Sequence, residues 1–132
     1  MISAVIPAYN EGKRIEKVLK ETKSFVDEII VVDDCSTDET AKIAEKYADV
    51  LQNESNLGYI ESIKKGFRYA SGDIIVTLDA DGEHDPKFIP DMIEPVKEGK
   101  VDLVFGKREK IPRISERILS KITEFKVNAS DT

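Results

Sequence analysis

The chain has 132 residues, 40% hydrophobic and 35% charged, which is the size and composition of one globular domain with its own core. A formal net charge of −6 argues against binding to DNA or RNA, so no nucleic-acid partner is expected. The single cysteine excludes an intramolecular disulfide and favours a reducing compartment. There is no signal-peptide pattern and no run of about 18 apolar residues that would indicate a transmembrane helix, so we predict a cytoplasmic location.

Strands and helices are predicted to alternate from the start of the chain. A β-branched run predicts a strand at residues 2–6, and apolar residues at helical spacing predict a helix at 15–22. A second strand at 28–32 precedes a second helix near 43–47, which the capping-box pattern of residues 36–39 introduces. Residues 50–52 are a candidate short strand before a third helix at 63–70.

The alternation continues towards the C-terminus. Further strands are predicted at residues 74–78 and 101–105, and between them Pro90 and Pro95 interrupt a helical pattern, which predicts a short or broken helix at 86–97. An amphipathic helix is predicted after Pro112. Because the strands are almost continuously apolar, they are expected to be buried on both faces, as in the mostly parallel sheet of an α/β domain flanked by helices.

The charge is unevenly distributed along this single domain. Residues 1–106 carry 13 basic and 22 acidic side chains, whereas residues 107–126 carry 7 basic and 3 acidic ones. We therefore divide the domain, residues 1–132, into an acidic core (1–106) and a basic C-terminal segment (107–132). The basic segment is a candidate anion-binding element, although a solvated helix face would explain its charge equally well.

Acidic residues follow two of the predicted strands, at the sheet edge where α/β domains bind ligands. Asp79 and Asp81 are two apart, so in an extended segment their carboxylates point the same way. Hard oxygen ligands without a histidine or cysteine cluster suit Mg²⁺ or Mn²⁺, and Glu83 is a candidate third ligand. His84, the only histidine, is either an outer-shell group of this site or an exposed loop residue.

The loops after the first two strands offer groups for a nucleoside. Either Asp33 or Asp34 can accept hydrogen bonds from a base or ribose, or one of them caps the next turn. Tyr9 and the backbone after Pro7 could hold a flat base. A dinucleotide-binding fold is excluded because its glycine motif is absent after the first strand, and the spacing of the acidic residues does not match that of a phosphoacceptor receiver domain.

Three segments together form a recognisable pattern: residues 2–11 (ISAVIPAYNE), 31–40 (VVDDCSTDET) and 72–86 (GDIIVTLDADGEHDP). In order and spacing they resemble the family 2 glycosyltransferases with the GT-A fold, and in particular the branch of dolichyl-phosphate mannose synthase and polyprenyl-phosphate glycosyltransferases. The resemblance covers residues 1–117. It implies a Rossmann-like GT-A sheet, and because members of this family usually continue further, we expect this chain to lack the C-terminal part of the fold.

The resemblance also implies an activity. It is the inverting, metal-dependent transfer of a hexose from a nucleoside diphosphate sugar, a UDP- or GDP-sugar, to an acceptor such as a polyprenyl (dolichyl-type) phosphate, with Mg²⁺ or Mn²⁺ as cofactor. The protein would then be cytoplasmic and peripheral at the inner membrane face. The alternative is a catalytically incomplete nucleotide-sugar-binding module that acts as a homo-oligomer or with a partner subunit, for which the apolar stripe of the terminal helix is the motivation.

The family's site residues can be carried over to matching positions. Those that would bind the nucleotide are Pro7, Tyr9, Glu11, Asp33, Asp34 and Asp79. Those that would face the metal and diphosphate are Asp79, Asp81 and Glu83. The catalytic positions are Asp81, Arg108 and Arg117, with the two arginines holding the diphosphate or the acceptor phosphate.

Overall fold

Four parallel strands form one sheet in the computed structural model, which describes residues 1–102. The strands are β1 (Ile2–Ala8), β2 (Glu28–Asp33), β3 (Asp49–Gln52) and β4 (Ile74–Thr77), in the order β3-β2-β1-β4. The helices are α1 (Ile15–Thr22), α2 (Thr40–Ala44), α3 (Tyr59–Tyr69) and α4 (Ile89–Lys97), with a 3₁₀ turn (Pro86–Phe88) directly before α4. The predicted parallel α/β architecture is confirmed.

Strand register brings the loops to one edge of the sheet. In the central strand β1, Ala8 lies opposite Asp33 of β2, and Asp33 in turn lies opposite Gln52 of β3. On its other side, Val5 of β1 lies opposite Thr77, the last residue of β4. All four strands therefore end on the same side of the domain, where their loops can build a common site.

The period-two alternation of the strands divides the core between the two faces of the sheet. Ile6 and Val31 face α1, α2 and α4, in a cluster that includes Ile15, Val18, Leu19, Leu78 and Ile89. Val5, Ile30 and Val32 face α3, where they pack with Ile63. This double burial explains why the strands are so uniformly apolar.

Helix α3 lies unusually close to the sheet at Gly66. A Cβ atom at this position would come within 2.3 Å of Cγ1 of Val5 and 3.2 Å of Cγ2 of Val32. Only glycine, which has no side chain, allows the helix to approach the strands this closely. Gly66 therefore sets the distance between α3 and the sheet.

Two local predictions meet different outcomes. The helix predicted within residues 86–97 is indeed short, with Pro90 in its first turn and Pro95 inside it. The capping box at residues 36–39 is wrong: α2 begins only at Thr40, and the Ser36 hydroxyl instead accepts a hydrogen bond from the backbone N–H of Asn10. The reason is that the loop after β1 holds this segment and competes with helix initiation.

The predicted strand at 101–105 lies almost wholly outside the described residues, and Val101 and Asp102 are not in a strand. The predicted terminal helix, its apolar stripe and the basic segment 107–132 also lie outside them. Within residues 1–102, no helix has both the length and the apolar character needed to cross a bilayer.

Candidate functional site

The loops after β1 and β2 are joined by hydrogen bonds. The backbone N–H of Thr37 donates to Oδ1 of Asn10 at 2.8 Å, and that of Asn10 donates to Oγ of Ser36 at 2.9 Å. Asn10 (φ 52°) and Cys35 (φ 64°) both adopt the left-handed conformation, which costs about 1–2 kcal/mol for a residue with a side chain. The cross-loop hydrogen bonds offset this cost, so the two loops form one ordered surface.

Asp34 connects this surface to the loop after β3. Its carboxylate is 6% exposed and accepts hydrogen bonds from Nδ2 of Asn53 (2.9 Å) and from the backbone N–H groups of Leu57 (2.7 Å) and Gly58 (2.9 Å). Burial alone would raise the pKa of Asp34, but these three hydrogen bonds outweigh it and hold the pKa below its usual value. The ionised Asp34 carboxylate thus holds residues 53–58 in place through these hydrogen bonds.

Asp33 and Asp34, which the sequence pairs, point to opposite faces of the sheet, as successive strand residues do. Asp33 is 4% exposed and lines a surface cavity of about 330 Å³ beside α2. Its Oδ2 accepts a hydrogen bond from the N–H of Ser36 at 3.3 Å, while its Oδ1 is buried with no hydrogen-bond partner among residues 1–102. The two carboxylates therefore do not form one binding pair.

The three residues predicted after β1 have different surroundings. Tyr9 is 49% exposed at the sheet edge, where its ring can meet a ligand. Pro7 is half-buried within β1, opposite Val32. Oε2 of Glu11 accepts a hydrogen bond from Nε of Arg14 at 2.9 Å, so this carboxylate already holds the first turn of α1.

The segment after β4 carries two half-exposed carboxylates, those of Asp79 and Asp81, whereas Leu78 and Ala80 are buried in the core. Ala80 and Asp81 lie in a turn, so the extended segment that the sequence predicts ends at Asp79. The chain then turns at Gly82, whose φ of 80° suits glycine. Oδ1 of Asp81 accepts a hydrogen bond from the N–H of the exposed Glu83 at 2.9 Å across this turn.

His84 folds back over the start of the same segment. Its Nδ1 accepts a hydrogen bond from the backbone N–H of Asp79 at 3.0 Å, and its Nε2 lies 3.8 Å from Oδ2 of Asp79. His84 is not a fully exposed loop residue, since its ring is about one-third exposed and contacts Asp79. Its predicted role as an outer-shell group stays a prediction.

Residues 1–102 contain no cluster of three or more carboxylate, histidine or cysteine side chains placed to hold a metal ion. The predicted set of Asp79, Asp81 and Glu83 thus does not form a cage made of protein ligands alone. Mg²⁺ and Mn²⁺ in phosphate-transfer sites are commonly held by one or two carboxylates together with substrate phosphate oxygens. Asp79 and Asp81 supply carboxylate oxygens of the kind that this arrangement uses, and it needs no third protein ligand.

One buried residue was missed by the sequence predictions. Asn53 is buried directly after β3, donates from Nδ2 to both Asp34 and Ser62 (3.1 Å), and accepts at Oδ1 a hydrogen bond from Nζ of Lys65 at 2.9 Å. The available signal was its position, since a polar residue that directly follows a predicted strand lies at the ligand-binding edge. The two predicted arginines, Arg108 and Arg117, lie outside the described residues.

The model of the family described as "Glycosyl transferase family 2" matches residues 3–127, which is nearly the whole chain. The chain belongs to glycosyl transferase family 2. Among curated family members it is 35% identical over 116 residues to a dolichol-phosphate mannosyltransferase from Pyrococcus furiosus, matching 81% of this chain and 33% of that protein. It is 36% identical over 111 residues to an undecaprenyl-phosphate 4-deoxy-4-formamido-L-arabinose transferase from Proteus mirabilis, matching 74% of this chain and 34% of that protein.

A solved structure of similar fold is that of glucosyl-3-phosphoglycerate synthase from Mycobacterium tuberculosis in complex with Mn²⁺, UDP and glucosyl-3-phosphoglycerate. It is 35% identical, with a TM-score of 0.64, and the match covers 73% of this chain and 39% of that one. The family 2 assignment and the parallel sheet with flanking helices therefore agree on a GT-A-like fold. The chain spans about one-third to one-half of the length of the curated relatives that it matches.

Proposed function

We propose that this family 2 chain binds a nucleoside diphosphate sugar, with UDP or GDP as the nucleotide, at the C-terminal edge of its sheet. The proposal rests on two features that lie at this one edge. One is the loop surface that Asp34 holds together, and the other is the pair of half-exposed residues Asp79 and Asp81. A base beside the exposed Tyr9 ring and a diphosphate near the loop after β4 would use both features. Pro7, Glu11 and Asp33 would contribute to the walls of the nucleoside pocket.

We further propose that the reaction is an inverting transfer that depends on Mg²⁺ or Mn²⁺. Asp79 and Asp81 would hold the ion together with the diphosphate oxygens, and Glu83 would lie at the border of this site. When bound, the ion supplies positive charge that stabilises the leaving diphosphate. Arg108 and Arg117 would add positive charge to the same phosphates or to the acceptor phosphate.

The acceptor proposed is a polyprenyl phosphate. A phosphate monoester has its second pKa near about 6, so it is already an anionic nucleophile at neutral pH and needs no general base to remove a proton. A hydroxyl acceptor would need one. Relatives named for dolichol phosphate and undecaprenyl phosphate support this choice. Because such acceptors lie in membranes, the protein would work at the inner membrane face as a peripheral protein, with segment 107–132 providing positive charge.

The donor half of the proposal is tested by calorimetric titration of UDP, GDP and their hexose conjugates, with Mn²⁺ and then with EDTA. We expect binding of one of the two nucleotides that weakens at least about tenfold on metal removal. Asp81→Asn should abolish that metal dependence, whereas Asp91→Asn, which alters an exposed carboxylate on α4, should leave it unchanged. If neither nucleotide binds, or if the nucleotide affinity is the same in Mn²⁺ and in EDTA, the proposal is wrong.

A second candidate is a nucleotide-sugar-binding subunit that completes its active site with another chain. The motivation for it is the apolar stripe predicted for the terminal helix, whose residues lie outside those that the structure describes. Light scattering combined with a transfer assay distinguishes the two. A monomer that converts donor sugar and polyprenyl phosphate to product would exclude the subunit, and nucleotide binding without turnover would favour it.

A further inference from the structure

The contact between His84 and Asp79 is more specific than loop packing requires. The ring turns back across five positions of the chain, so that Nδ1 meets the backbone N–H of Asp79 while Nε2 lies 3.8 Å from the carboxylate of the same residue. The ring thus lies against Asp79 and accepts a hydrogen bond from its backbone, at the point where the segment leaves the sheet.

The hydrogen bond at Nδ1 determines where the proton of a neutral ring must be. Nδ1 accepts from the backbone of Asp79, so it carries no proton, and the ring's single N–H is at Nε2. The 3.8 Å between Nε2 and Oδ2 of Asp79 is too long for a hydrogen bond, and Nε2–H points away from Nδ1. The ring therefore holds Asp79 through the backbone N–H of that residue.

The rest of the segment is arranged to keep the ring in place. On one side the buried Leu78 and Ala80 fix the chain in the core, and on the other the buried Pro86 begins the 3₁₀ turn. Between them, the turn at Gly82 brings residue 84 back to residue 79. The ring closes this turn through the backbone N–H of Asp79, so its removal would loosen the turn at Asp79 without unfolding either anchor.

We propose that His84 is a positioning residue that fixes the backbone at Asp79, and with it the start of the loop that carries the Asp79 carboxylate, for a divalent cation and nucleoside diphosphate. The inference rests on the proposed function, because it assumes that Asp79 meets these ligands. Groups that orient a metal-binding side chain typically contribute 10- to 100-fold to metal affinity. His84 itself touches neither substrate nor metal in this role.

Three substitutions test the backbone hydrogen bond. His84→Ala removes it, whereas His84→Asn keeps an oxygen near the position of Nδ1, where it can still accept from the N–H of Asp79. Lys87→Ala is the matched control, because Lys87 lines the same surface cavity as His84 and its Nζ lies 3.3 Å from Asp85. Each variant is titrated with the preferred nucleoside diphosphate in Mn²⁺ and in EDTA, and with the corresponding nucleoside monophosphate. The electron paramagnetic resonance spectrum of the bound Mn²⁺ is recorded in parallel.

We expect His84→Ala to weaken Mn²⁺-dependent diphosphate binding at least about tenfold and to change the Mn²⁺ spectrum. Monophosphate affinity and the urea midpoint should stay unchanged. His84→Asn, which keeps the acceptor, should restore most of the lost affinity, and Lys87→Ala should match the wild type. Unchanged diphosphate binding in His84→Ala overturns the inference and leaves the proposed function intact. Equal losses of monophosphate and diphosphate affinity also overturn it, because they indicate general loop damage. A wild type without metal-dependent binding overturns the proposed function, and the inference with it.

Discussion

Replacing Gly66 by alanine tests how tightly α3 is packed on the sheet. The added Cβ would lie 2.3 Å from Cγ1 of Val5, whereas non-bonded carbon atoms rest about 3.5–4.0 Å apart. The atoms must therefore separate by more than about 1 Å. Val5 is fully buried, and a valine side chain has little freedom at χ1, so the helix must move or the side chain must leave its preferred rotamer.

The magnitude follows from two opposing effects. Overpacking a well-packed core costs about 1–3 kcal/mol, and the severity of this contact places the cost near the upper end. Alanine has a better helix propensity than glycine, which returns about 1 kcal/mol. We therefore expect Gly66→Ala to lower the free energy of unfolding by about 1–2 kcal/mol.

The assay is urea denaturation of four proteins: wild type, Gly66→Ala, Val5→Ala and the double variant. Val5→Ala removes both methyl groups that the new Cβ would meet at 2.3 and 3.3 Å, although Cγ2 of Val32 remains at 3.2 Å. In that background Gly66→Ala should be neutral or slightly stabilising, because mainly the gain in helix propensity is left. The reasoning is refuted if Gly66→Ala is equally destabilising in both backgrounds, with a coupling free energy below about 0.5 kcal/mol.

Three further predictions concern the loops. Asn53→Ala should lower the free energy of unfolding by about 1–3 kcal/mol in urea titrations, because it removes a buried donor to Asp34, whereas the exposed Asn56→Ala should change it by less than about 0.5 kcal/mol. The pKa of Asp34 is lower when folded than when unfolded, so its stabilisation is present above the unfolded pKa of about 3.9 and is lost as the pH falls through the folded pKa. Unfolding free energies from pH 6 to pH 3 should accordingly fall less steeply for Asp34→Asn than for the wild type, and equal slopes would contradict the assignment. At Cys35 (φ 64°), thermal denaturation should find valine destabilising by more than about 1 kcal/mol and glycine tolerated; tolerance of valine would show that the left-handed conformation is not required.

The sheet could be predicted from the sequence because its strands are buried on both faces. Val5 and Ile6 belong to different core clusters, so both faces of β1 need apolar residues, and the strand is apolar at every position but Ser3.

The local pattern was misleading where distant parts of the chain decide the structure. Ser36 matches a helix cap, but Asn10, 26 positions away, donates to its hydroxyl, and α2 begins later as a result. The separation of Asp33 from Asp34 and the burial of Asn53 likewise depend on strand pairing and on the loop after β3. Such contacts between distant residues have no signature within a short window of sequence.

The hydrogen bonds between the loops after β1 and β2 also bear on the kinetics of ligand capture. Because Asn10, Ser36 and Thr37 already hold one another, a ligand arriving there would not have to order these loops, and little conformational entropy would be lost on association. Encounter would then be limited by diffusion and orientation, with no wait for a loop to close. Affinity differences among ligands that use this surface would therefore appear mainly in their dissociation rates.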